Sequence, residues 1–316
     1  MRSPSPSAVG VHSLDHFSVS VPDLEVAKKF YEAFGLDVRV DEAQVHLRAF
    51  GDAHLWGVIT EAPKKVVRYI SFGAFDGDLP IFKSRLEERG IRLVDPPFES
   101  VNPGIWLRDP AGLLIQIQVA TRSGPTRKSP IDSASVPDGV RAAPMRGSTE
   151  SVRPRRMSHA LFFTPDVSRA IRFYTDVLGL RLSDHPGPVA FLHSMHGSDH
   201  HLIAFAESSK GIGYHHSAWD VRSIHDVGLG AMQMASAGFA RGWGIGRHAL
   251  GSNYFYYVRD PWGSYSEYSC DIDFIPAGMQ WEATYPPPEN SLYLWGPDVP
   301  EDFVLNYEGE IDGDRP

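Results

Sequence analysis

The chain reads as an α+β protein of two tandem domains, each built from paired βαβββ units whose curved, open sheets surround a pocket. Three observations lead there. One block of strand-like and helix-like sequence occurs in both halves, and each half closes on an Asp-Pro-x-Gly hairpin. A stretch rich in Pro, Ser, Gly and Arg separates the halves. A length of 316 residues accommodates about two domains.

The elements follow in order. The first domain, 11–120, begins with His16-Phe17-Ser18-Val19-Ser20-Val21, a short strand, and Pro22-Asp23 then opens a helix that Gly35 stops. The second domain, 157–275, begins with His159-Ala160-Leu161-Phe162-Phe163-Thr164. Pro165-Asp166 opens its helix, with Val167, Ala170, Ile171, Tyr174 and Leu178 at helical spacing, and Gly179 stops it. In both copies the His lies fourteen residues before a Phe-Tyr pair. Short strands follow, then a second helix ending near Gly90 or Gly238, then the hairpin. Residues 121–156 read as a linker, mobile by composition, or as a solvated surface loop. The C-terminal extension, 276–316, carries Trp281 and Trp295-Gly296-Pro297. It packs over the second domain or against a neighbouring subunit, and its end from Glu308 onward reads as frayed.

Composition narrows the function. A net charge of −9 argues against a nucleic-acid partner, whose grip on phosphates needs Lys and Arg. The single Cys270 excludes an internal disulfide and suits a reducing cytoplasm. The N-terminal residues lack the apolar stretch of a secretory signal, and no run approaches the roughly 20 apolar residues of a membrane span. Nine of the fourteen histidines fall between His185 and His248, which points to the second half as the site of chemistry.

Three of the second domain's side chains make a metal constellation. His159 begins its first strand, His216 lies in a middle strand and Glu267 in the last. Two neutral imidazoles and one carboxylate on one face of a divalent ion leave three adjacent positions open, the pattern of non-haem Fe(II) oxygenases. A type I turn at Asp260-Pro261-Trp262 with Gly263 left-handed pairs Asp260 with Ser264, and counting back sets Tyr257 opposite Glu267. The same count in the first domain sets Trp106 opposite Gln116, and Tyr69 falls where His216 stands. Only His16 survives there, so no metal is expected in the first half. His215 competes with His216, but strand alternation sends adjacent side chains to opposite faces. The His193–His201 stretch lacks the cysteines and closed array of a structural zinc site. The glycines of 242–246 do not join a strand to a helix as a nucleotide loop would.

On these residues, together with His201-Leu202-Ile203-Ala204-Phe205, Gly246-Arg247-His248 and Asn253 through Tyr257, the chain resembles the type I extradiol ring-cleavage dioxygenases of the vicinal oxygen chelate superfamily. The likeness covers both repeats. It implies Fe(II), or more rarely Mn(II), held by His159, His216 and Glu267, with a small aromatic diol and O₂ as substrates. It implies cleavage of a catechol-type ring, additionally substituted or trihydroxylated, to a muconic semialdehyde-type product in aromatic catabolism. His201 matches the family's acid–base residue, with His200 its rival, while His248 and Tyr257 match residues that hydrogen-bond substrate oxygens. Asn253 either orients a neighbouring group or simply starts a strand. The pocket wall is expected to include Trp243 and the C-terminal segment, and relatives suggest a homo-oligomer. A glyoxalase-type isomerase of the same superfamily and a metal-free sequestering protein are the alternatives. The first draws ligands from both repeats, and the second has no reason to keep all three.

Overall fold

The structure, a computed structural model, describes residues 9–41, 43–96, 104–132 and 136–308. The first domain runs β1 (Ser13–Val21), α1 (Leu24–Phe34), β2 (Asp37–Asp41), β3 (Gln44–Arg48), β4 (Gly57–Glu61), β5 (Val66–Ala74), α2 (Asp78–Glu88), β6 (Gly104–Arg108) and β7 (Leu114–Val119). The second runs β8 (Arg156–Thr164), α3 (Val167–Asp176), β9 (Leu180–Asp184), β10 (Val189–Ser194), β11 (Ser198–Asp199) and β12 (Ile203–Glu207). It continues with β13 (Gly213–Asp220), α4 (Ile224–Ser236), β14 (Gly242–Arg247), β15 (Tyr254–Arg259), β16 (Tyr265–Cys270) and β17 (Phe274–Ile275). The two large sheets are ordered β2-β3-β4-β1-β5-β7-β6 and β14-β15-β16-β13-β8-β12-β10-β9. In each, two units meet at a central antiparallel pair, β1 with β5 and β13 with β8. Three of the four units show the full βαβββ pattern. In the remaining one a bridge between Leu93 and Leu107 stands where the extra strand would run, and residues 97–103 lie outside the described residues.

Local chemistry starts the helices where the sequence places them. The Asp23 carboxylate accepts from the Val26 amide and the Asp166 carboxylate from the Arg169 amide, each satisfying a helix-end donor. Gly35, at φ 96°, takes the left-handed turn that a side chain would resist. The helices carry the packing between halves. Phe34 of α1 stacks on Tyr268 of β16, ring centroids 4.0 Å apart, and the Tyr268 hydroxyl donates to the Phe34 carbonyl. A Cβ at Gly230 of α4 would come within 2.7 Å of the Tyr268 ring, so only glycine lets that helix approach. One apolar cluster, including Phe17, Phe34, Phe162 and Tyr268, spans both repeats. No helix among the described residues is long and apolar enough to cross a membrane.

The linker departs from the mobile reading. The Asp132 amide donates to the Arg222 carbonyl at 2.9 Å, Arg155 pairs with Asp220 at 2.9 Å, and the Val152 amide donates to Gln233 at 2.8 Å. These contacts hold the two ends of the linker on the second domain, which composition alone does not reveal. The expectation for Glu308 is likewise corrected. This carboxylate is buried, 3.1 Å from the Lys65 ammonium, and accepts from the amides of Val67 and Tyr214 at 2.7 Å each.

One buried group sets an acid limit on the fold. His193 donates through Nδ1 to the Ser183 hydroxyl, and burial, reinforced by His200 and Arg181, pushes its pKa from 6.5 down to about 4. The folded state therefore holds this ring neutral. Its contribution is fully present above pH 6.5 and is lost as pH falls toward 4. Thermal melts of the metal-free chain at pH 7 and pH ~4.5 should differ by on the order of 2 kcal/mol more in the wild type than in His193→Gln. Equal differences in the two chains would refute the assignment.

Candidate metal centre

Strand register explains how three distant residues converge. Ala218 of β13 pairs with His159 of β8 on one side and with Glu267 of β16 on the other. Paired residues in adjacent strands share a face, so His159, Ala218 and Glu267 form one row across the sheet. His216 lies two residues back along β13, on the same face. Ala218 contributes only a methyl to this row, between the larger side chains of His159 and Glu267. Glu267 Oε2 lies 3.4 Å from His159 Nε2 and 3.5 Å from His216 Nε2, and the donor atoms of all three lie within 4.8 Å of one another. All three residues are buried.

The donor set fits a divalent cation. His216 Nε2 and Glu267 Oε2 are buried without a hydrogen-bond partner, a costly state unless something else satisfies them. Their neighbours aim them. The His215 ring donates through Nε2 to the Phe303 carbonyl at 2.7 Å, so its Nδ1 accepts the His216 Nδ1–H at 2.6 Å. That leaves the lone pair of His216 on Nε2, the atom facing the other donors. Asn253 donates to Glu267 Oε1 and to the Ser269 hydroxyl, each at 2.9 Å, which holds the carboxylate with Oε2 turned inward. Outer partners of this kind contribute about 10–100-fold to metal affinity, so His215→Leu should weaken binding by that factor in a metal titration. Unchanged affinity would remove His215 from this role.

The first repeat reproduces the row with different chemistry. Ser71 pairs with His16 and with Gln116, and Tyr69 lies two residues back along β5. Here His16 is already engaged, by Asp15 at 2.6 Å and by the Tyr69 hydroxyl at 3.0 Å. A phenol and an amide replace an imidazole and a carboxylate, so this row lacks the charge and softness that a transition metal needs.

Around the three donors lies a cavity of about 230 Å³. His201, His248, Asn253 and Tyr257 line it beside His159 and His216. Tyr257 pairs with Glu267 in the β15–β16 ladder, and Trp106 with Gln116 in β6–β7, the two registers that turn geometry implies. The His248 Nδ1–H donates to the Leu292 carbonyl at 2.5 Å, so Nε2 accepts the Tyr257 hydroxyl at 2.9 Å. Burial and the neighbouring Glu267 push the Tyr257 phenol far up its range, so it stays protonated. Burial, reinforced by His159, His200 and other imidazoles, keeps His201 well below the usual histidine range, so the ring is neutral at neutral pH.

Some expectations need correction. Trp243 does not line the cavity. It lies behind Tyr257, stacked at 5.5 Å, and its indole N–H is tied to the Pro297 carbonyl. The C-terminal extension does form wall, through Pro288, Leu292, Phe303 and Val304. Strand alternation fails at His215, because a register shift between Tyr214 and His216 brings both rings to the cavity. His200 and His201 precede β12. His200 turns away, its Nε2 2.7 Å from Asp184. Ala218, Phe303 and the supporting role of His215 escaped sequence reasoning. Aligning Ala218 with Ser71 at the centre of each row was the one available signal.

Comparison with known proteins agrees with this geometry. The family model described as Glyoxalase/Bleomycin resistance protein/Dioxygenase superfamily matches residues 13–117 and 156–268. The chain is 49% identical over 311 residues to metapyrocatechase 2 of Cupriavidus necator, covering 97% of each chain. The solved 2,3-dioxygenase LapB of Pseudomonas sp. KL28 shares the fold at TM-score 0.70 and 22% identity, with 88% of this chain and 99% of that one covered. The Mn(II)-bound glyoxalase of Novosphingobium aromaticivorans does so at TM-score 0.75 and 24% identity, covering 94% and 95%.

Proposed function

This chain belongs to the glyoxalase/bleomycin resistance protein/dioxygenase superfamily, and from that premise we propose that it is an extradiol dioxygenase opening catechol-type rings with O₂. The observation that carries the reading is the row of His159, Ala218 and Glu267 with His216 beside it, whose buried orphan donors converge on one point. His159, His216 and Glu267 hold the metal, Fe(II) in preference to Mn(II). When bound, it supplies the electronic link between diol and O₂ that the two do not form directly.

The protein's own groups do the rest. His201 is uncharged, so it takes a proton from one diol hydroxyl and later returns it to an oxygen of the opening ring. The Tyr257 phenol stays protonated, and its one hydrogen, now donated to His248 Nε2, turns to substrate oxygen as negative charge builds there. Asn253 keeps Glu267 oriented. Leu161 and Phe163 follow His159 on the same face of β8, so the apolar wall runs about 13 Å from the metal end at ~3.3 Å per residue. No Lys or Arg lines it among the described residues. A ring carrying an apolar substituent fills this space, whereas a carboxylate there stays unpaired and desolvated.

The test is oxygen uptake after anaerobic Fe(II) loading, with catechol, alkyl- and aryl-catechols and carboxylated catechols. One O₂ should be consumed per diol, with a yellow ring-opened product, and apolar substituents should exceed carboxylated rings by ~100-fold or more in kcat/KM, the scale of an unpaired buried charge. An iron-replete enzyme that consumes no oxygen with any catechol would end the proposal.

A further inference from the structure

Behind His201 runs a hydrogen-bonded chain that ends in the C-terminal extension. Asp184, at the end of β9, is buried and accepts through Oδ1 from the Thr284 amide at 2.7 Å and the Thr284 hydroxyl at 2.5 Å. Its Oδ2 lies 2.7 Å from His200 Nε2. On the other side of that ring, His200 Nδ1 lies 3.0 Å from His201 Nδ1. Trp281 covers His200 at 5.7 Å between ring centroids. Although burial pushes the Asp184 carboxyl up, its bonds from His200 and Thr284 bring it below the ordinary carboxylate range.

The direction of each bond follows from what these groups can donate. An ionised carboxylate only accepts, so His200 Nε2 carries a proton. The His200 ring is buried, with Asp184 at one nitrogen and His201 at the other. A neutral ring protonated at Nε2 has its lone pair on Nδ1. That lone pair accepts the hydrogen of His201 Nδ1, and the remaining lone pair of His201 is then on Nε2. This atom has no hydrogen-bond partner among the described residues, and its ring lines the cavity.

We propose that Asp184 and His200 are positioning residues that lock His201 in the tautomer with Nδ1 protonated and the Nε2 lone pair open to the substrate. The inference rests on the acid–base reading of His201 for its catalytic meaning, but not for its structural content. It also gives the C-terminal extension a task, because Thr284 and Trp281 hold the outer end of the chain. An amide at position 184 reverses the pattern. If its oxygen serves Thr284, its NH₂ faces His200 Nε2, which must then accept. His200 Nδ1–H donates to His201, and the His201 proton moves to Nε2, where a diol needs a lone pair.

The experiment reads the tautomer directly. Two-bond ¹H–¹⁵N correlation spectra of the full-length, ¹⁵N-histidine-labelled chain without metal report which nitrogen of His201 is protonated, with His201→Asn providing the assignment. The wild type should show protonated Nδ1 and unprotonated Nε2, and Asp184→Asn should invert them. After Fe(II) loading, Asp184→Asn should retain its iron and its diol KM while kcat falls by about 10²–10⁴-fold, the range for a misplaced catalytic proton. A wild-type His201 protonated on Nε2 overturns the proposal, and so does an unchanged tautomer or unchanged kcat in Asp184→Asn. If that variant does not fold, the wild-type spectrum decides alone. Absence of ring cleavage by loaded wild type leaves the tautomer result standing and counts against the dioxygenase reading only.

Discussion

Glu267→Gln should leave the protein folded, without iron and without turnover. The amide has nearly the volume of the carboxylate, and its oxygen can still accept from Asn253 as Glu267 Oε1 does now at 2.9 Å. Folding therefore has little reason to change. The other terminal atom, Oε2, faces His159 Nε2 and His216 Nε2. In the variant an NH₂ group stands there, which neither carries negative charge nor offers a lone pair. The loss should exceed the ~10–100-fold that an outer partner contributes to affinity. The first repeat carries this same amide, Gln116, at the matching place in its row, with its Nε2 buried without a partner. Metal analysis after anaerobic loading, beside a circular dichroism spectrum, measures both halves of the expectation. Stoichiometric iron at wild-type rates would defeat the ligand assignment.

Glu308→Ala should produce the largest loss of stability, and the reason is again a buried charge. Its carboxylate faces the Lys65 ammonium at 3.1 Å and satisfies the amides of Val67 in β5 and Tyr214 in β13. Lys65 also donates to the Tyr214 carbonyl at 2.9 Å and to the Ser264 hydroxyl. Removing the acid leaves an ammonium and two amides in the interior without their acceptor. Breaking a buried pair in this way costs ~3–5 kcal/mol, although replacing both partners by apolar residues costs far less. Urea denaturation of the metal-free chain should show this loss, and Lys65→Met combined with Glu308→Leu should recover much of it. A loss below ~1 kcal/mol would mean that the pair is solvated and does not fasten the two domains.

Much of the centre was legible because it rests on short-range rules. Asp23 and Asp166 cap helices through bonds to residues three positions on. The turn at Asp260–Gly263 sets a register that carries Tyr257 to Glu267 by counting in twos. The repeat supplied a control, since His16, Tyr69 and Gln116 fall on the row that His159, His216 and Glu267 occupy. Where a local rule was pressed past its conditions it failed. Alternation did not separate His215 from His216, because a register shift interrupts the ladder there. Trp243, close to Tyr257 in register, turned out to support that ring from behind.

By itself, then, the sequence determined the duplicated units, the hairpin registers and the types of donor in the second domain, since each depends on neighbours within one turn, one strand or one repeat. Only the tertiary structure decided which ring nitrogen faces the cavity and that Glu308 and Thr284 reach back into the domain. Those depend on groups more than forty residues apart in the chain, such as His215 with Phe303 and Asp184 with Thr284. Hydrogen-bond direction is set by the partner actually met, and no periodicity within a strand encodes that meeting.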